Sequence, residues 1–192
     1  MVDILIIDNY DSFTHNLVHL FLKFDVRIDV IRNDKIDGKG ILELSPDVVV
    51  ISPGPKNPSA SGNTKEIISK LVNVKPIFGV CLGMQAINEV FGGITVHAPE
   101  PVHGKTSLIH HQNACIFAGL PSPFKAARYH SLVISDMPDC LKVTARSADN
   151  LPMAVTHRQF PICGVQFHPE SFLTEYGYEL VRNFFDKVNL NV

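Results

Sequence analysis

The stretch Pro76–Gln85, PIFGVCLGMQ, decides the fold and directs attention to one cysteine. It begins as a short apolar run, contains Gly79 and Gly83 on either side of Cys81, and continues into residues with helical spacing. This pattern predicts a buried strand, a sharp turn and a helix, with Cys81 at the turn. The two glycines let the backbone adopt a strained turn and let another group approach it closely.

Cys81 itself has two interpretations. Free cysteines are among the most buried residues, so Cys81 can be a small hydrophobic side chain of the core. At the N-terminus of a helix, in contrast, the helix dipole favours the reactive thiolate. Glycine at both second neighbours favours the second interpretation, since packing alone does not require them. Cys81 is therefore a candidate nucleophile.

Composition limits the class of protein. The chain has 192 residues, of which 45% are hydrophobic, and a formal net charge of -2. We predict one domain over residues 1–192 with a substantial core, and we expect no nucleic-acid partner because no basic run is present. The longest apolar runs, Ile4–Ile7 and Val48–Ile51, are far shorter than the roughly 20 residues of a membrane span. No membrane partner is therefore expected.

The cysteines and the N-terminal residues bear on the compartment. The four cysteines form no closely spaced pairs, which indicates reduced thiols and not a disulfide framework. The segment Met1–Ile4 lacks the basic start of a signal peptide. We expect a cytoplasmic protein.

Apolar runs and helical patterns alternate along the first half of the chain. Strands are predicted at Ile4–Ile7, Val26–Ile31, Val48–Ile51 and in the apolar run that begins at Pro76, and helices at Phe13–Lys23, Lys39–Leu44 and Lys65–Leu71. Strands buried on both faces between helices predict an α/β fold, an open, mostly parallel sheet with helices on both faces. Asp11 or Ser12 is the expected cap of the first helix.

The second half predicts an antiparallel extension of this sheet. The expected strands are His103–His110, Ala114–Phe117, Leu141–Ser147 and Met153–His157, followed by an apolar strand from Ile162 and a helix at Glu175–Val188. A hairpin is predicted about Asp149-Asn150. In parallel sheets, ligands gather at the carboxyl ends of the strands, where Cys81 is also expected.

The loop Ser52–Pro58 follows the third strand. Its Pro53-Gly54-Pro55 sequence makes a stiff turn that holds a peptide N–H in a fixed orientation, which an oxyanion hole requires. An ordinary Pro-Gly turn is the alternative.

The segment Ser59–Thr64 is similar to the phosphate-binding loop of flavodoxins, where the loop follows the first strand and not the third. We favour a simpler role, capping of the next helix through Ser61, Asn63 or Thr64.

Histidines are frequent in the middle of the chain. Four of them, together with Cys115, invite a zinc site: His97, His103, His110 and His111. Their spacing matches no compact ligand pattern, and Pro99 and Pro101 interrupt it. No metal site is predicted.

The sequence His168-Pro169-Glu170 follows the last apolar strand. Pro169 keeps the backbone of His168 extended, and Glu170 lies close enough in sequence to turn back to the imidazole. A carboxylate on one ring nitrogen fixes the tautomer and leaves the other nitrogen to act as a base. An ordinary loop is the alternative, but a cysteine at the end of another strand favours a Cys-His-Glu acyl-transfer site.

These motifs together resemble a known family. The segment Gly79–Gln85 with His168-Pro169-Glu170 is similar to the class I (triad) glutamine amidotransferases, which have a flavodoxin-like fold. Four further motifs resemble the amidotransferase subunit, component II, of anthranilate synthase and aminodeoxychorismate synthase: Asp8–Thr14, Ser52–Pro55, His103–Ser107 and Arg128–Leu132. They occur in the expected order over almost the whole chain.

The resemblance implies a mechanism and assigns residues to it. Cys81 would attack the carboxamide of glutamine, and His168, oriented by Glu170, would transfer protons. The implied substrate-binding residues are Gly54, Pro55, Lys56, Leu82, Gln85, Ser131 and Leu132, with the N–H of Leu82 and of the Gly54 loop forming the oxyanion hole.

The same resemblance implies a partner. Ammonia would pass through a tunnel to a chorismate-using synthase subunit of the component I type, because nothing in this chain resembles a chorismate site. No cofactor is implied on this chain, and Mg²⁺ would be needed by the partner. The motifs are common to the anthranilate and p-aminobenzoate branches, so they do not choose between them.

Three positions depart from the family pattern: Lys56, His15 and Phe172. None of them belongs to the triad, so only the interface and the oxyanion loop are affected.

Two other functions fit parts of the sequence. An elbow-cysteine hydrolase fits Gly79-x-Cys81-x-Gly83, but in α/β-hydrolases the acid precedes the histidine, whereas Glu170 follows His168. A flavodoxin-like binding module fits Ser59–Thr64 but leaves Cys81, His168 and Glu170 unexplained.

Overall fold

The computed structural model describes all residues, Met1–Val192. The strands are β1 (Val2–Asp8), β2 (Val26–Arg32), β3 (Val48–Ile51), β4 (Ile77–Val80), β5 (Ile94–His111), β6 (Phe124–Asp136), β7 (Leu141–Ser147), β8 (Pro152–His157) and β9 (Ile162–Val165). The α-helices are α1 (Thr14–Phe21), α2 (Gly38–Leu44), α3 (Thr64–Leu71), α4 (Leu82–Val90) and α5 (Gly177–Lys187). None of these helices combines the length and the apolar character needed to cross a membrane.

The strands form one nine-stranded sheet in the order β2-β1-β3-β4-β9-β8-β7-β5-β6. The five strands from β2 to β9 run parallel, and β8, β7, β5 and β6 extend the sheet with antiparallel pairs. The predicted α/β class, with a parallel core and an antiparallel extension, is confirmed. All nine strands belong to this one sheet.

Alternate side chains of the central strands point to opposite faces of the sheet, and both faces are buried. On β1, Ile4 and Ile6 join a cluster of buried residues that contains the apolar faces of α1 and α5. Leu5 and Ile7 join a second cluster with α2, α3 and α4. Since successive side chains of a strand point to opposite faces, a continuous apolar run was the expected signature of such a strand. Helices cover both faces, as predicted.

The topology brings three of the predicted loops together. The loop that begins at Ser52 follows β3, Cys81 follows β4, and the segment from Gln166 to His168 follows β9. Because β3, β4 and β9 are parallel neighbours, their carboxyl ends lie side by side at one edge of the sheet.

Two predictions about the second half need correction. Ala114–Phe117 is not a strand, because residues 115–117 form a 3-10 turn. Asn113 and Cys115 both adopt positive φ angles, which end the extended chain there. The strand expected at His103–His110 is part of the much longer β5, whose register shifts between His97 and Val102, where the two prolines lie.

The predicted helix caps are only partly confirmed. The N-cap residue of α1 is Phe13 and not Asp11 or Ser12, whereas that of α3 is Asn63, one of the three residues predicted; neither helix has a side-chain cap hydrogen bond. Ser61 Oγ donates instead to the carbonyl of Pro58 at 2.6 Å, and Thr64 Oγ1 donates to Asn9 Oδ1 at 2.6 Å. The bond of Ser61 stays within its own loop, whereas that of Thr64 is a tertiary contact that a local pattern cannot reveal.

Candidate active site

Cys81 forms the junction between β4 and α4 in a strained conformation. Its backbone has φ 54° and ψ -102°, a region that residues with a Cβ rarely occupy. Such strain persists only where the surrounding structure imposes it, and it concentrates at functional sites. The sharp turn is as predicted, but the strained residue is Cys81 itself.

The two flanking glycines have a packing role. A Cβ on Gly79 would lie 2.7 Å from the carbonyl carbon of Gly83, and a Cβ on Gly83 would lie 2.6 Å from the carbonyl oxygen of Ile51. No side chain fits at either place, so α4 can rest directly on β3 and β4 only with glycine at both positions. The close approach expected of these glycines is therefore present.

His168 and Glu170 form a buried pair. His168 Nδ1 lies 2.6 Å from Glu170 Oε1, and the two side chains are 2% and 0% exposed. This contact assigns one ring proton to Nδ1 and leaves Nε2 to accept or donate the proton used in the reaction. His168 Nε2 and Glu170 Oε2 are both buried without a hydrogen-bond partner, a state that proteins usually avoid outside functional sites.

Other elements hold His168 in place. Its backbone N–H donates to the carbonyl of Ala127 at 3.0 Å, and its carbonyl accepts from Thr174 Oγ1 at 2.6 Å. The rings of Phe13 and Tyr129 lie against the imidazole, with centroids at 5.3 Å and 5.0 Å. The imidazole is therefore fixed in orientation and shielded from water.

The electrostatics of this pair favour a charged imidazole. Burial alone lowers the pKa of His168, but the neighbouring Cys81 thiol and the Glu170 carboxylate outweigh it and raise the pKa to about 10. Both neighbours therefore favour the protonated, imidazolium form of His168. A cation beside a thiol favours the thiolate, which is the nucleophilic form.

The loop after β3 packs against the start of α4. A Cβ on Gly54 would lie 2.5 Å from Leu82 Cδ2 and 2.6 Å from Asn9 Cβ, so this position also requires glycine. Leu82 opens α4, where backbone N–H groups have no partner within the helix. A peptide N–H of the Gly54 loop and the N–H of Leu82 remain the candidate oxyanion donors.

A buried polar network fixes this loop, and sequence reasoning missed it. Asn9 donates from its backbone N–H to Ser52 Oγ at 2.8 Å and from Nδ2 to the Ser52 carbonyl at 2.9 Å. Asn9 Oδ1 accepts from Asn33 Nδ2 and from Thr64 Oγ1. The network connects the carboxyl ends of β1, β2 and β3 below the Gly54 loop. Its only sequence signal was a polar residue after each of these strands.

A cavity of about 150 Å³ opens above Cys81. Its lining residues are Gly54, Pro55, Lys56, Cys81, Gln85, His103, Tyr129, His130, Ser131 and Leu132. Six of the seven predicted substrate-binding residues therefore surround the candidate nucleophile. Leu82 is the exception, since its buried side chain packs against the loop and only its backbone is suited to the site.

Gln85 and Leu132 are hydrogen-bonded to each other in the wall of this cavity. Gln85 Nε2 donates to the Leu132 carbonyl at 3.1 Å, and the same carbonyl contacts His130 Nδ1 at 3.0 Å. His130 Nε2 accepts from Arg128 Nε at 3.0 Å. Burial and the Arg128 charge lower the pKa of His130 to about 4, so His130 is neutral. Arg128 and His130 were noted in a motif, but this bracing role was not predicted.

The histidines in the middle of the chain lie along β5 or near it. No group of three or more His, Cys, Asp and Glu side chains is arranged to hold a metal ion.

The sequence matches a family of known proteins over almost its whole length. The family model "Glutamine amidotransferase class-I" matches residues 5–188. The chain belongs to the class I glutamine amidotransferase family. The resemblance inferred from the motifs is thereby confirmed.

Curated members of the class I glutamine amidotransferase family are similar over nearly their full length. Aminodeoxychorismate/anthranilate synthase component 2 of Bacillus subtilis is 49% identical over 185 residues, covering 95% of each chain. Anthranilate synthase component 2 of Azospirillum brasilense is 46% identical over 184 residues, covering 94% of each. Aminodeoxychorismate synthase component 2 of Klebsiella aerogenes is 46% identical, covering 96% of this chain and all of the relative.

A solved structure of the same fold supports the assignment of architecture. A putative GMP synthase subunit from Thermoplasma acidophilum superposes with a TM-score of 0.88 at 30% identity, covering 98% of this chain and 94% of that one. The flavodoxin-like class I glutamine amidotransferase fold expected from the sequence is confirmed.

Proposed function

We propose that this chain is the amidotransferase subunit of a chorismate-using synthase. It hydrolyses glutamine to glutamate and delivers the ammonia to that partner. Membership of the class I glutamine amidotransferase family and the component 2 names of the relatives support this proposal. The observation that carries the chemistry is the strained Cys81 beside the buried His168–Glu170 pair.

The first step forms a thioester. The Cys81 thiolate attacks the carboxamide carbon of glutamine, and the electron pair of the C=O bond moves onto oxygen. The N–H of Leu82 and a peptide N–H of the Gly54 loop stabilise this oxyanion. The His168 imidazolium then donates its Nε2 proton to the nitrogen, the C–N bond breaks, and ammonia leaves.

The second step regenerates the enzyme. Neutral His168 now accepts a proton from water at Nε2, and the resulting hydroxide attacks the thioester carbon. The C–S bond breaks, the product leaves as glutamate after its new carboxyl group releases a proton to solvent, and the Cys81 thiolate is restored beside the imidazolium. Glu170 remains a carboxylate throughout and stabilises the charged ring in both steps.

The cavity above Cys81 binds the amino-acid end of glutamine. Both donors of Gln85 Nε2 are used within the protein, so its Oε1 is free to accept from the α-ammonium group. The Leu132 carbonyl is bonded to Gln85, and Ser131, Gly54, Pro55 and Lys56 also line the cavity. A pocket with converging polar groups is typical of a small polar substrate.

The partner receives ammonia before solvent protonates it. Phe172, two residues after Glu170, is 93% exposed, and a cavity of about 400 Å³ beside it reaches Glu170. A large apolar side chain exposed beside the site suits a surface that the synthase subunit covers. The proposed chemistry uses no cofactor on this chain, and Mg²⁺ is assigned to the partner. A reactive thiol also suits the reducing cytoplasm.

The proposal is tested by glutamate release from glutamine. Wild type and Cys81→Ala are assayed alone, with the chorismate-using subunit of anthranilate synthase, and with that of aminodeoxychorismate synthase. We expect wild type alone to be slow and at least one partner to raise its rate, whereas Cys81→Ala stays inactive with both. The partner that raises the rate identifies the branch, or both do if this chain serves both synthases. Equal rates for Cys81→Ala and wild type would refute the proposal.

A further inference from the structure

Gln166 lies next to the candidate nucleophile, yet nothing in the proposed chemistry uses it. It follows β9 directly and is fully buried. Its Nε2 donates to Cys81 Sγ at 3.5 Å, within the range for a bond to sulfur. Its Oε1 accepts from Gln85 Nε2 at 3.1 Å. The side chain makes no other hydrogen bond, so both its polar ends are engaged within the candidate site.

The free-energy cost of burying an amide indicates that these contacts serve the candidate site and not the packing of the core. A buried amide costs free energy unless it is hydrogen-bonded, and an apolar side chain of the same shape avoids that cost. The neighbours of Gln166 along the chain, Val165 and Phe167, are fully buried and apolar. An amide at this one position is therefore best explained by its two polar partners, Cys81 and Gln85.

Gln166 also completes a continuous connection across the cavity. From Cys81 the connection passes through Gln166 to Gln85, and Gln85 donates its second N–H to the Leu132 carbonyl. His130 supports the same carbonyl from the other side. The nucleophile is thus hydrogen-bonded, through two amides, to the wall that is suited to hold the substrate.

We propose that Gln166 is a positioning residue that orients the Cys81 sulfur with its Nε2–H and fixes Gln85 with its Oε1. The inference rests on the proposed function for the role of Gln85, but its effect on Cys81 is independent of any substrate. Donation of an N–H to sulfur stabilises the thiolate and aims it into the cavity. Because Gln166 Oε1 holds the Nε2 of Gln85, the Oε1 of Gln85 is left to face the ligand.

Two substitutions separate the two contacts. Gln166→Glu is isosteric and keeps an acceptor for Gln85 but removes the donor to Cys81. Gln166→Met has similar size and removes both. Gln159, which is exposed, provides matched controls as Gln159→Glu and Gln159→Met. The measurements are alkylation of Cys81 by iodoacetamide at pH 7, followed on its peptide by mass spectrometry, and kcat and KM for glutamine hydrolysis.

We expect Gln166→Glu to slow alkylation of Cys81 and to lower kcat by about tenfold, the effect of one charge-assisted hydrogen bond, while KM changes by less than about twofold. Gln166→Met is expected to slow alkylation similarly and also to raise KM by about tenfold, because Gln85 loses its support. Both Gln159 variants should match wild type. The split between KM and kcat distinguishes positioning from a general loss of structure.

The inference is overturned if Cys81 in Gln166→Glu is alkylated as fast as in wild type, or if Gln166→Met leaves KM unchanged. If Gln166→Met does not fold, the alkylation of Gln166→Glu decides alone. Alkylation requires no glutamine, so the proposed function can fail independently. A wild type without glutaminase activity, in which Gln166→Glu still slows alkylation, would refute the function and retain the contact to Cys81.

Discussion

Gly79 and Gly83 are in direct backbone contact across the turn that carries Cys81. A Cβ on Gly79 would lie 2.7 Å from the carbonyl carbon and 2.8 Å from the carbonyl oxygen of Gly83. This close approach sets α4 against β4 at the turn where Cys81 adopts its positive φ. The position of the Cys81 thiol therefore depends on glycine at both Gly79 and Gly83.

We predict that Gly79→Ala lowers the free energy of unfolding by about 1–3 kcal/mol, because a methyl group must displace backbone atoms. Glutaminase activity should fall as well, since α4 moves. The control is Gly40→Ala on α2, where the added Cβ meets only the flexible side chain of Ile36 at 3.0 Å and the polar end of Asp37. Chemical denaturation measures the stability of both variants, and glutamate release measures their glutaminase activity. Equal stability of Gly79→Ala and wild type would contradict the packing argument.

Glu170→Gln should lower kcat by about 10²–10⁴-fold with little change in KM. The amide no longer holds the Nδ1 proton or stabilises the imidazolium, while the substrate cavity, which Glu170 does not line, is unchanged. Steady-state kinetics with glutamine measure both constants. Glu179→Gln, an exposed position on α5, is the matched control. A rise in KM at constant kcat would show that Glu170 acts in binding instead.

Neutral His130 predicts a loss of stability in acid. Burial, with Arg128 beside it, lowers the pKa of His130 to about 4, whereas the unfolded chain binds that proton near pH 6.5. The free energy of unfolding is therefore unaffected by His130 above pH 6.5, and it falls by about 3 kcal/mol as the pH decreases toward 4. His130→Asn should remove this part of the slope, and His110→Asn, at an exposed position, should not. Urea unfolding between pH 4 and 7 decides, and equal slopes for wild type and His130→Asn would refute it.

Phe172→Ser is expected to reduce the stimulation of glutaminase activity by the synthase partner by about tenfold and to leave the unstimulated rate unchanged. Its ring is exposed in the isolated chain, so its removal should weaken only the binding of a partner that buries it. Leu44→Ser, also at an exposed apolar position but on α2, controls for lost surface hydrophobicity. If Phe172→Ser is stimulated as strongly as wild type, the partner binds elsewhere.

The parts of this fold that follow from local patterns were predictable. Apolar runs bounded by glycine and proline identified the strands before Ser52, Cys81 and His168, and a parallel sheet places the ends of such strands at one edge. The candidate site was predictable because each of its motifs lies at one of these ends.

Contacts between residues distant in sequence were not predictable. Thr64 Oγ1 donates to Asn9, 55 positions away, so its side chain does not cap α3. Gln166 contacts Gln85 and Cys81, 81 and 85 positions away, and its polar character between the buried apolar Val165 and Phe167 was the only signal. Hydrogen-bond partners of this kind are set by the tertiary fold, which a pattern of local spacing does not encode.

The most direct test of the central claim is covalent labelling of Cys81 by a glutamine analogue with a chloroketone in place of the carboxamide. Intact-mass and peptide mass spectrometry of wild type should show one adduct, on Cys81, formed faster with the synthase partner and suppressed by excess glutamine. Cys81→Ala should show none. An adduct on Cys115 or Cys140, or labelling that glutamine does not suppress, would contradict the assignment of Cys81 as the nucleophile for glutamine.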